Sequence, residues 1–218
     1  MESVLDLSLK DAAMSAINRK LILQGVSWEF YEQVLEEYKE SNAVHFAYDD
    51  GFLEVEVPLF KHERENRILQ DLVATICIEK EIDYINAGST TFRQRAKAKG
   101  CEPDTAFYIQ NESRIRGLKH LDLNQDPPPD LVIEVDITSP SLNKMPIYSA
   151  LGVSEVWLFK GERVTFYKLY GGIYRESSNS VALPFLDSQT ANKFLEKGLT
   201  ESSSKWIREI REWTNNND

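Results

Sequence analysis

The 218-residue chain has little cysteine: two residues, Cys77 in an apolar helical pattern and Cys101 beside Gly100. Two thiols make no framework of disulfides, and no CxxC spacing offers a soft-metal site; both are expected to be buried thiols without chemistry. Nor does any apolar stretch approach the length needed to cross a bilayer. The opening MESVLDLSLKDAAMSAINRK lacks the basic region followed by an unbroken apolar segment that marks a secretory signal. The cytoplasm is therefore the expected compartment, with no membrane partner. Positive charge is also short: 25 Lys and Arg against 35 Asp and Glu leave a net charge of -10, which excludes a surface that is a nucleic-acid footprint throughout. Repeats and low-complexity segments are missing too. What remains, at 42% hydrophobic and 11% aromatic content, is a globular chain able to bury a substantial core as one domain.

The periodicities alternate between helix and strand. WEFYEQVLEEY (28–38) has helical spacing with Ser27 as its cap. VHFAYDDGFLEVEVP is two short alternating runs around Asp50 and Gly51, a hairpin signal. KHERENRILQDLVATICIEKE is an amphipathic helix with Ile68, Leu69, Leu72, Val73 and Ile76 in one stripe. Continued toward the N-terminus in steps of three and four, that stripe reaches Glu65 and then His62, two polar side chains aimed along the buried face. Strands are expected at 84–87, 91–95, 105–110 and 131–138. A short helix is expected through Lys144, Tyr148 and Leu151, starting near Met145 because of Pro146 and closed by Gly152. EVWLFK and RVTFYKLY read as a hairpin around residues 160–162, and the tail as a helix carrying Trp206, Ile207, Ile210 and Trp213.

Two segments do not behave as plain core. In PPPDLVIEVDITSPS (127–141), a period of two puts Leu131, Ile133, Val135 and Ile137 on one side and Asp130, Val132, Glu134 and Asp136 on the other. Carboxylates two residues apart repel, and Asp is a poor strand former. In EPDTAFYI, Asp104 stands at a strand start directly after a proline. If Asp104 and Glu134 begin neighbouring strands, with Glu65 or His62 supplied by the helix, their oxygens make a site for a hard divalent ion such as Mg²⁺, which makes the repulsion tolerable. The run FRQRAKAKGC has Arg93, Arg95, Lys97 and Lys99 in strict alternation. If extended, it is a basic comb beside those acids and a phosphate-contacting element.

The segments SWEFYEQVLEE, DDGFLEVEVP followed by KHE, GSTTFRQR, GCEPDTAFYI, PPPDLVIEVDITSPSLNKMPIY and LGVSEVWLF resemble the Uma-two family of restriction-endonuclease-like proteins abundant in cyanobacteria. The resemblance covers residues 27 to 170 and divides the chain into a variable N-terminus (1–26), a nuclease-like core (27–170) and a C-terminal strand with helices (171–218). That family is assigned to the PD-(D/E)xK nuclease superfamily. It implies an α/β fold with a restriction-endonuclease-like core, a mixed central sheet flanked by helices. By the same resemblance Asp104 and Glu134 are the paired acids, Glu65 or Glu63 a further metal ligand and His62 a frequent neighbour; Glu102 is either a supporting acid or simply solvated.

The resemblance departs at one point. The superfamily has a lysine two residues after Glu134, to orient or deprotonate water and steady phosphate charge; here Asp136 stands there. Three readings stay open: a lysine arrives from elsewhere, with Lys144 and Lys97 the candidates; Asp136 is itself a metal ligand; or the site is dead. The expectation is a Mg²⁺- or Mn²⁺-dependent endonuclease acting on DNA, with a homodimer suited to cutting both strands. The alternative is an inactive nuclease fold that binds nucleic acid or protein.

Overall fold

In the computed structural model, residues 20–39, 41, 44–136 and 142–217 are described. Their elements in chain order are β1 (Lys20–Gln24), α1 (Trp28–Tyr38), β2 (His45–Asp49), β3 (Phe52–Glu56), α2 (Phe60–Glu79), β4 (Ile85–Gly88), β5 (Phe92–Gln94), β6 (Lys99–Cys101) and β7 (Thr105–Tyr108). There follow α3 (Glu112–Ile115), β8 (Leu131–Asp136), α4 (Met145–Leu151), β9 (Glu155–Lys160), β10 (Arg163–Tyr170), β11 (Ile173–Ser177), α5 (Ser188–Thr200) and α6 (Ser203–Asn216).

Local chemistry explains the boundaries. The Ser27 hydroxyl accepts from the Phe30 N–H at 3.2 Å and starts α1. Asp50 (φ 44°) and Gly51 (φ 91°) both adopt the left-handed region, as a two-residue hairpin turn between β2 and β3 requires. Pro146 sits in the first turn of α4, and Gly152 at φ 87° closes that helix with its N–H on the Tyr148 and Ser149 carbonyls. The strand expected over 131–138 ends at Asp136; Ile137 and the four residues after it lie outside the described residues.

Two sheets result. One is antiparallel with strand order β1-β3-β2-β6-β5; the other has order β11-β10-β9-β8-β7-β4 and is mixed, because β8 and β9 run parallel. Parallel neighbours need a crossover, and the chain between them carries α4. Helix α1 covers one face of the first sheet, packing Trp28, Tyr31, Val34 and Leu35 on Phe46, Tyr48, Leu53 and Val55. The second sheet has one face under α2, α5 and α6, where Leu69, Leu72 and Ile76 meet Phe107, Ile133 and Trp157. Helix α4 fills the space between the remaining faces, with Ile147, Tyr148 and Leu151 against Ala47, Phe92 and Cys101 on one side and Val132 and Val156 on the other. Among the described residues no helix is long and apolar enough to cross a membrane.

Both faces of β8 are interior. Leu131, Ile133 and Val135 join the helical layer while Val132 joins the α4 layer, so the acids alternate into protein and not into solvent. Asp130 has a structural reason to be there. It accepts from the Ile109 N–H at 2.8 Å, the Asn111 N–H at 2.9 Å and the Asn111 side-chain amide at 2.6 Å, satisfying the turn after β7.

The expected basic comb needs correction. Arg93 is on β5, Arg95 to Lys97 form one 3₁₀ turn, Ala98 sits at φ 48° and Lys99 returns on β6. Alternation along the sequence therefore does not give one face. The run folds back as β6 pairs with β5 and β2, and acids then meet its cations: Arg95 pairs with Glu29 and Glu32 of α1, and Lys99 with Asp49 of β2.

Candidate active site

Asp104 lies where the chain crosses from β6 of the first sheet to β7 of the second. The β7–β8 pairing is antiparallel and sets Thr105 opposite Ile133, so one residue further Asp104 comes opposite Glu134. Glu134 is the fourth residue of its strand and not its first. Antiparallel pairing nevertheless brings the start of β7 to the end of β8, and the Val135 N–H donates to Asp104 Oδ2 at 2.7 Å. The step is locked from α2: the Asn66 amide donates to the Asp104 carbonyl at 3.1 Å, and the Thr105 hydroxyl donates to Asn66 Oδ1 at 2.9 Å.

Each acid has its own set of partners. His62 Nε2, from the first turn of α2, lies 3.1 Å from Asp104 Oδ2, and His45 Nδ1, from β2, lies 3.6 Å from Oδ1. Asp104 Oδ1 is buried and makes no hydrogen bond. Glu134 Oε2 accepts from Lys144 Nζ at 2.9 Å, and Oε1 accepts from the Tyr148 hydroxyl. Lys144 caps α4 and Tyr148 stands four residues on, so one face of that helix delivers both donors. The ammonium of Lys144 also lies 3.8 Å from Glu56 Oε2, whose other oxygen is 3.1 Å from Lys20 Nζ. Beside it the Glu54 carboxylate accepts from the Leu142 N–H at 2.5 Å, while Glu54 Oε1 is buried without a partner.

These contacts push the two carboxyls apart. Burial alone would raise Asp104, but the His45 and His62 imidazoles and the Lys144 charge overcome it and hold the carboxyl well below the usual range. Burial pushes Glu134 up to about 7; the Lys144 ammonium opposes this and the Asp104 charge adds to it. Lys144 is raised despite burial, because Glu134, Glu56 and Asp104 all favour its charged form. The thiols take no part: burial pushes Cys77 up to about 12, and Cys101 is raised as well.

Asp104, Glu134, Lys144 and His62 thus meet at one place. Of the other expected residues, Asp136 lines a small cavity together with Glu134, Lys144 and Tyr148, and the rest have partners of their own. Glu65 is buried on α2 but lines a separate cavity of about 930 Å³ with Lys61, Arg64, Glu162 and α5. Glu63 Oε1 lies 3.8 Å from His62 Nδ1. Asp136 is bound by Lys160 at 2.8 Å, its other oxygen buried and unpartnered. Lys97 Nζ donates to the Ala150 carbonyl at 2.6 Å. Glu102 accepts from the Phe46 N–H at 2.9 Å and the Thr91 hydroxyl at 2.6 Å, tying β2 to the chain before Asp104.

Sequence reasoning passed over His45, Glu54, Glu56 and Lys20. The signal for Glu54 and Glu56 was present: in FLEVE, acids alternate with apolar residues just as they do in β8. Their partners become evident only from the register, which sets Glu56 between Lys20 and His45.

Against known proteins, residues 28–203 match the family model Uma2, described as "Putative restriction endonuclease". Among solved structures, the chain is similar to a protein from Anabaena variabilis described as "a putative nuclease belonging to DUF820", at 18% identity over 69% of this chain and 90% of that one, with a TM-score of 0.44. No curated protein matches the chain.

Proposed function

We propose that this chain, which belongs to the Uma2 family, is a divalent-metal-dependent endonuclease that hydrolyses phosphodiester bonds of DNA at the Asp104–Glu134 site. The observation that carries this reading is the position of Lys144. The strand lacks a lysine two residues after Glu134, and the N-cap of α4 supplies an ammonium 2.9 Å from Glu134 instead.

The donor set fits a hard cation. Asp104 Oδ1 is buried without a hydrogen bond, and Asp104 is held ionised by two imidazoles. Among the described residues no three or more His, Cys, Asp or Glu side chains form a metal-holding group. Asp104 and Glu134 would therefore hold the ion with water completing its shell, as suits Mg²⁺, which is commonly bound through one or two carboxylates. Such an ion supplies a more acidic bound water and neutralises charge on the phosphate.

The residues of the chain do the rest. Lys144 presents a fixed positive charge where charge develops on the phosphate, and it costs no reorganisation because Glu134 and Glu56 already hold it. Tyr148 orients Glu134. A bound cation would favour the ionised form of Glu134, against the burial that raises its carboxyl. Cutting both strands of a duplex calls for two such sites, which a homodimer would provide.

One observation favours the rival reading of a non-catalytic binding module: both Glu134 oxygens already have protein donors. Nicking of supercoiled plasmid with Mg²⁺ or Mn²⁺ separates the two. The expected result is metal-dependent nicking by the wild type, reduced about a hundredfold or more in Asp104→Ala and Lys144→Met. Nicking that survives in Asp104→Ala, or a wild type inert with every divalent ion, overturns the nuclease reading.

A further inference from the structure

The small cavity beside Glu134 has a volume of about 90 Å³ and is walled in part by Lys20, Asp136, Lys144 and Tyr148. One water needs roughly 10–15 Å³, so the space takes several waters or one phosphate group. Glu134 and Asp136 reach it from β8, and Lys144 and Tyr148 from α4 and its cap. Lys20 comes from the other sheet. It is on β1, an edge strand whose register sets Lys20 opposite Glu56 of β3. Glu54 and Glu56 share one face of β3, and that face meets the start of α4, because Glu54 accepts from the Leu142 N–H and the Lys144 ammonium lies 3.8 Å from Glu56. Directly paired residues point to the same side of a sheet, so β1 delivers Lys20 to the candidate site.

The Lys20 side chain is only 8% exposed, and an ammonium removed from water needs partners. Among the described residues it has one, Glu56 Oε1 at 3.1 Å, although an ammonium carries three donors. The acids on the cavity wall are committed to other donors: Glu134 to Lys144 at 2.9 Å and to Tyr148, and Asp136 to Lys160 at 2.8 Å. Lys20 thus keeps donors unused at the cavity, and an anionic oxygen is the chemistry that satisfies them. It also lies ahead of residues 28–203, so the family match does not account for it.

We propose that Lys20 is a second phosphate-binding lysine of the candidate site, donating from β1 to a phosphate oxygen of the DNA strand at this cavity. The proposal rests on the nuclease reading, which brings a phosphodiester to Glu134. Glu56 holds Lys20 and Lys144 on its two oxygens, so both ammoniums are in place before the strand arrives and bind it without reorganisation. Neutralising a backbone phosphate also releases a condensed counterion, which gives the contact a salt signature that a purely structural ion pair lacks.

The test is DNA binding by the full chain carrying Asp104→Ala, so that no cleavage intervenes, with a short fluorescent duplex followed by anisotropy between about 0.05 and 0.2 M salt. Adding Lys20→Met, which keeps the length of a side chain on an edge strand, is expected to weaken binding roughly tenfold at about 0.1 M salt. The same change is expected to lower the slope of log affinity against log salt by about one. Lys20→Arg, which keeps the charge and has the cavity to receive its larger head, is expected to keep the slope. The Tm of each variant is measured alongside. A Tm lowered in Lys20→Met with the slope unchanged, a slope lost equally in Lys20→Arg, or no binding of the duplex by the parent overturns the proposal. Plasmid nicking by the otherwise wild-type chain together with an unchanged slope would sink the Lys20 contact and leave the nuclease reading standing. A slope lowered in Lys20→Met and kept in Lys20→Arg, without nicking, would do the reverse.

Discussion

Lys144→Met removes the ammonium that joins Glu134 and Glu56 and leaves a side chain of similar length. Lys144 and Glu134 are only 10% and 11% exposed at their side chains, so the pair is screened little by water. Removing one partner of a buried pair costs about 3–5 kcal/mol, most of it from stranding the other charge. Two contacts soften the loss: Tyr148 still donates to Glu134, and Lys20 still pairs with Glu56. The lower end, about 3 kcal/mol, is therefore expected, or a fall in Tm of roughly 6–12 °C for a chain of this size. The second arm is Glu134→Gln. Combined with Lys144→Met it removes the stranded charge, so the double variant should recover about 1–3 kcal/mol relative to the sum of the singles. Urea unfolding of all four proteins at pH 8 measures this directly. The penalty also has a pH signature. Because Glu134 is pushed up to about 7, its charged form is complete only above that pH, so Lys144→Met costs most at pH 8 and less at pH 5.5. A single variant within about 0.5 kcal/mol of the wild type, or a strictly additive double variant, would refute the claim that Lys144 is held by these acids.

Three further outcomes follow from other parts of the fold. His62 is raised because Asp104 outweighs its burial, so the stability it contributes is complete below about pH 6.5 and is lost as pH rises through its folded value. The Tm gap between wild type and His62→Gln should accordingly be larger at pH 6 than at pH 9; a gap that widens with pH contradicts the assignment. Glu155 accepts from the Trp157 indole, the Ser180 hydroxyl and the Val181 and Ala182 N–H groups, so Glu155→Ala strands four donors and should cost about 3–5 kcal/mol in denaturant unfolding, against almost nothing if water replaces the carboxylate. At Gly100 an added Cβ would lie 2.5 Å from the Tyr31 hydroxyl oxygen and 2.9 Å from its ring, so Gly100→Ala should cost about 1–3 kcal/mol, partly restored by Tyr31→Phe. A neutral Gly100→Ala would show that β6 and α1 are free to separate.

Legibility in the sequence followed the range of the interaction. Helix α1 and its Ser27 cap, the Asp50–Gly51 turn and the Gly152 stop each depend on residues no more than four apart, and all were readable. Glu65 was expected at the site because it continues the apolar stripe of α2, and it is indeed buried. Helix α2, however, has two neighbours: His62 and Asn66 meet Asp104, while Glu65 lines the cavity beside α5. The basic run failed for a related reason: alternation implies one face only if the backbone is extended, and here it turns at Ala98 so that β6 can pair with β5 and β2.

The sequence by itself determined most segments of helix and strand, though neither β1 nor β6, together with the family and the two acids whose presence in apolar strands asks for compensation. Tertiary structure decided which groups compensate them: an ammonium from α4 for Glu134, imidazoles from α2 and β2 for Asp104, and a bridge through Glu56 to Lys20. Periodicity records how a side chain points relative to its own backbone. Contacts such as Glu54 with Leu142, 88 residues apart, depend on strand order and register, which are set by packing across the whole molecule.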